Sequence, residues 1–93
     1  MTLNELPVPA VHLNGTGGSA LCREYRTAIA ALRDAQTACA AVTVHGRDYY
    51  TLDRTGEALD KALEHRLSVL RRLNQLQTEM STILAGIHAQ REA

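Results

Sequence analysis

The run LDKALEHRLSVLRRLNQLQTEMSTILAGI, from Leu59 to Ile87, decides the fold. Its seam positions are Leu59, Ala62, Arg66, Val69, Leu73, Leu76, Met80, Ile83 and Ile87. Their spacing of three and four residues is that of one face of an α-helix, and eight of the nine are apolar. Arg66 is the exception, and a charge on an apolar seam must reach solvent, find a partner or face a ligand. A second stripe, Leu63, Leu67, Leu70 and Leu84, makes the apolar face wider than one partner helix can cover. Asp53 or Thr55 caps the start of this helix, which is expected over residues 54–89.

Working towards the N-terminus, Leu21, Tyr25, Ala28, Leu32, Ala35, Cys39 and Val42 repeat the same period. They predict a first helix over 19–44, with Ser19 as N-cap and Gly46 as the residue that ends it. Residues 1–18 hold Pro7, Pro9, Gly15, Gly17 and Gly18 and no helical period, so they form an extended arm. The composition agrees, with thirteen Leu, fourteen Ala, no Phe and no Trp, which suits helices and excludes an all-β fold. The expected architecture is all-α: an arm over 1–18 and a helical hairpin over 19–93. Ninety-three residues give such a hairpin too little interior to stand alone, so a four-helix dimer or a larger bundle is expected.

Ten basic and ten acidic residues cancel, which disfavours DNA and anionic membranes as partners. No stretch reads as a signal peptide or a membrane span, and a cytoplasmic location is expected. Cys22 and Cys39, on one helix and about 25 Å apart, are expected to stay reduced, with Cys39 in the seam and Cys22 nearer its edge. The four histidines share no helical ligand spacing, Glu64 and His65 are neighbours on different faces, and neither cysteine has a cationic loop beside it. No metal, no cofactor and no enzymatic activity are expected.

Two segments carry chemistry. His45-Gly46-Arg47-Asp48-Tyr49-Tyr50 places two flat hydroxyl-bearing rings beside a guanidinium, a set that suits a nucleobase with a phosphate or ribose attached. A plug of the bundle end by Tyr49 and Tyr50 is the simpler alternative. His12-Leu13-Asn14-Gly15-Thr16-Gly17-Gly18-Ser19 runs into a helix start and makes an anion-friendly turn, although no Lys follows as in a phosphate-binding P-loop. A flexible turn leading to a Ser cap explains it equally well.

Taken together, His12-Leu13-Asn14-Gly15-Thr16, Gly46-Arg47-Asp48-Tyr49-Tyr50 and Glu64-His65-Arg66-Leu67 resemble a family of small helical proteins of tailed phages and prophages. The chain departs from the family's pattern at Gly17-Gly18, His45 and Thr51-Leu52. Such proteins are similar in size and assembly to viral sponges that sequester the nucleotide messengers of CBASS, Thoeris or type III CRISPR defence. The resemblance implies a homo-oligomer in the host cytoplasm that binds a cyclic oligonucleotide or an ADP-ribose derivative without turnover. His12, Asn14 and Thr16 would line one wall of the pocket and Arg47, Tyr49 and Tyr50 the other, with Arg66 joining them. The competing reading is a phage assembly factor or adaptor acting through protein contacts.

Overall fold

The computed structural model describes Thr2 and residues 5–92. Among these residues the regular elements are all helical: α1, Gly18–Ala40; a single 3-10 turn, Gly46–Asp48; and α2, Glu57–Glu92. The two long helices run antiparallel, as three contacts along their length show. Near the chain termini Cys22 meets His88, in the middle Gln77 donates to Gln36 at 2.7 Å, and towards the connecting loop Arg66 donates to the Val42 carbonyl at 3.0 Å. The hairpin is a rod of 63 × 23 × 18 Å.

The helix ends differ from the sequence expectation. α1 stops at Ala40, and the Ala41 amide donates back to the carbonyls of Thr37 and Ala38. The β-branched run Val42-Thr43-Val44 then favours extended backbone, so the helix ends before reaching Gly46. Gly46 instead opens the 3-10 turn, where His45 Nδ1 accepts from the Arg47 amide. Gly17, not Ser19, occupies the cap position of α1, and no side chain caps the helix. Both proposed caps of α2 act together. Asp53 Oδ2 accepts from the Ala58 amide at 2.8 Å, and Thr55 Oγ1 accepts from Glu57. Gly56 between them has φ +84, a left-handed conformation that glycine alone adopts without strain.

The arm is not helical along most of its length and folds back over the last turns of α2. Val8 lies on Gly86, where a Cβ would come within 2.7 Å of the valine methyl. Gln90 fastens it twice, accepting from the Val11 amide and donating to the Pro9 carbonyl, both at 2.8 Å. Leu6 and Val11 from the arm pack on Cys22, Ile83 and Ile87.

The core is therefore lopsided. Its buried apolar side chains, Cys22, Ile29, Ile83 and Ile87, belong to the half of the rod nearer the termini. In the half nearer the loop Val42, Leu63 and Leu67 stay exposed, Leu67 at 52% and Val42 at 59%, and Leu76 is exposed at mid-length. The expected order of the cysteines is reversed. Cys22 is fully buried and Cys39 only partly so: Cys22 and Ile29 lie deepest, with Leu21 and Tyr25 packed half-buried against the cluster around Cys22.

Candidate functional site

The segments singled out in the sequence lie at opposite ends of the rod. His12, Asn14 and Thr16 are exposed beside the start of α1, in a turn closed by the Gly15 amide donating to the His12 carbonyl at 3.2 Å. The His12 ring covers Gly15 so closely that a Cβ there would sit 2.8 Å from Nε2. Arg47, Tyr49 and Tyr50 lie beyond the far end of α1, whose 23 residues span about 35 Å. The arm does not bridge that distance, since it docks on the C-terminal turns of α2.

At the loop end the structure does bring residues together. Tyr49 is half-buried between two clefts of about 240 Å³ each. One is shared with Tyr50, Asp53, Arg54 and Leu59, and the other with Cys39, Val42, His65 and Arg66. Arg47 lines neither. Each cleft is smaller than the roughly 300–1,000 Å³ of a typical small-molecule site. Asp53 is committed to the α2 cap. The Thr55 hydroxyl, then the Ala58 amide, donate to its carboxylate and hold it below the usual carboxylate range.

Arg66 resolves its position on the seam by turning to the end of α1, where Nη1 takes the Val42 carbonyl. One cluster escaped the sequence reading. Cys22 and Arg26, four apart on α1, face His88 and Arg91, three apart on α2. Arg26 Nη2 lies 3.2 Å from His88 Nε2, Cys22 Sγ lies 3.9 Å from His88 Nδ1, and Arg91 reaches both Cys22 Sγ at 3.6 Å and Ser19 Oγ at 3.2 Å. The sequence signal was the spacing: residues three or four apart share a face, and antiparallel helices bring their opposite ends together. The cations beside Cys22 thus come from its own helix and from α2, not from a loop.

Among the described residues no three metal-ligating side chains gather, and no helix is long and apolar enough to cross a membrane. No protein-family model, curated protein or solved structure matches the chain.

Proposed function

We propose that the protein is a non-enzymatic binding protein that works as a homo-oligomer, with each ligand site completed by two chains. The observation that carries this reading is the bare apolar surface between the two motif-bearing ends. Leu63 and Leu67 lie on one flank of α2, while Leu76, nine residues after Leu67, stands about 180° around the helix from it. A second copy laid antiparallel over Leu63, Leu67 and Leu70 would cover the first flank, and each buried leucine is worth about 1.5–3 kcal/mol. The exposed Leu76 flank favours a bundle larger than a dimer.

The tyrosine loop lies beside Leu59 and Ala62 of its own α2, so a two-fold axis near residues 73–76 would bring it beside the arm of the next chain, which docks on Gly86 and Gln90. The pocket that no single chain forms would then have Tyr49 and Tyr50 as stacking faces, Arg47 as an anion contact, and Asn14 and Thr16 as polar edges. In this reading the ligand is a nucleotide-derived messenger, and the protein is a phage sponge that withholds it from a host defence system.

Calorimetry against a panel of cyclic di- and trinucleotides and ADP-ribose derivatives tests this. One member should bind, and Arg47→Ala and Tyr50→Ala should abolish that binding while helicity and assembly mass stay unchanged. The second reading, an adaptor for a larger protein, is favoured by Leu13 and Leu52. Both stay exposed at opposite ends, outside the stripe, as contact residues for a partner would. A panel without any binder would favour it.

A further inference from the structure

We propose that Arg26 and Arg91, with His88 holding Arg26 in place, form an anion site for a phosphate-bearing ligand at the terminal end of the rod. It depends on the nucleotide reading only for what carries the phosphate. The two arginines are held rather than free. A guanidinium can only donate, so Arg26 donates to His88 Nε2, which leaves His88 Nδ1 to carry the proton that points at Cys22 Sγ. Arg91 is fixed by Cys22 and Ser19, and its side-chain stem crosses Gly18 so closely that a Cβ there would meet Arg91 Cδ at 2.9 Å.

These contacts occupy one donor of Arg26 and two of Arg91, and each guanidinium has five. The remaining donors are open to solvent, where an incoming anion can take them. Among the described residues the one ion pair is Lys61 with Glu57, so neither arginine has a carboxylate within 4.0 Å, Glu92 included. The first turn of α1, immediately beside Arg91, has no acidic residue and no side-chain cap for its amides. Two oriented guanidinium forks next to uncapped helix amides favour a doubly charged oxyanion, and holding them in place beforehand lowers the ordering cost of binding. Thr16 and Gly17 lie next in the chain, which joins this cluster to the arm motif.

Calorimetry of the full chain with inorganic pyrophosphate at constant ionic strength tests the site. Wild type should bind, and Arg26→Ala should weaken binding by about tenfold or more, as expected for losing a charge-assisted contact. Gly18→Ala, which displaces the Arg91 stem without removing a charge, should weaken it as well. Arg71→Ala, which removes an α2 guanidinium distant from the cluster, should leave it unchanged. A wild type that does not bind, an Arg26→Ala variant that binds like wild type, or an equal loss in Arg71→Ala overturns the proposal. Pyrophosphate binding without binding of any nucleotide would keep this site and remove the nucleotide reading. Nucleotide binding that is indifferent to Arg26 and Arg91 would do the reverse.

Discussion

Arg66 on α2 donates to the carbonyl of Val42, so the charged residue of the α2 seam closes the end of α1. Val42 lies two residues past the end of α1, so the guanidinium holds the chain where it leaves the helix while its stem stays against the apolar seam.

Arg66→Ala should therefore lower stability by about 1–3 kcal/mol, and Arg66→Lys, which keeps a donor and a stem, by less. Urea denaturation followed by circular dichroism checks both. Unchanged stability in Arg66→Ala would mean that the contact with Val42 contributes nothing.

The cysteines separate by burial. Cys22 is enclosed by Ile83, Ile87 and the arm, whereas Cys39 lines a cleft at the loop end. Under native conditions a thiol reagent should modify Cys39 first and reach Cys22 only when the terminal half opens. Cys22→Ser should cost about 1–2 kcal/mol, more than Cys39→Ser, because it places a hydroxyl in the core. Equal labelling rates would contradict the packing described.

The α2 cap sets a dependence on pH. The carboxyl of Asp53 is lowered from its ordinary value of 3.8 by the Thr55 hydroxyl and then the Ala58 amide. A depressed carboxyl adds stability that is present above its unfolded value and lost as pH falls through the folded one. The start of α2 should thus loosen below about pH 4, with the loss extending into more acid solution. In Asp53→Asn that portion of the acid dependence should disappear; an unaltered stability profile against pH would show that the cap is not coupled to folding.

Much of the hairpin was legible. The period from Leu59 to Ile87 located α2, and Asp53 and Thr55 marked its start, because side-chain capping follows from local chemistry. α1 starts where the period predicts and ends four residues earlier, and its seam residues Leu21 and Tyr25 do pack on the core, but Cys22 and Ile29 lie deeper, a choice that only the partner helix decides. Its end at Ala40 depends on the β-branched run after it and on Arg66, which is distant in sequence. Arm docking was not legible, although a glycine inside a helix at position 86 was its sign, since Gly86 gives up helix stability to admit Val8. Of the candidate site, Tyr49, Tyr50 and Arg66 gather at one end, while His12, Asn14 and Thr16 sit at the other, a separation imposed by the length of α1.

Sedimentation equilibrium of wild type and Leu67→Glu over a range of protein concentrations tests self-association most directly. Leu63 and Leu67 are exposed in one chain and Leu70 beside them is half-buried, so wild type should sediment as a dimer or larger assembly. Leu67→Glu, which sets a charge in that surface, should shift to monomer or unfold. A wild type that is monomeric and fully helical at every concentration would contradict the account.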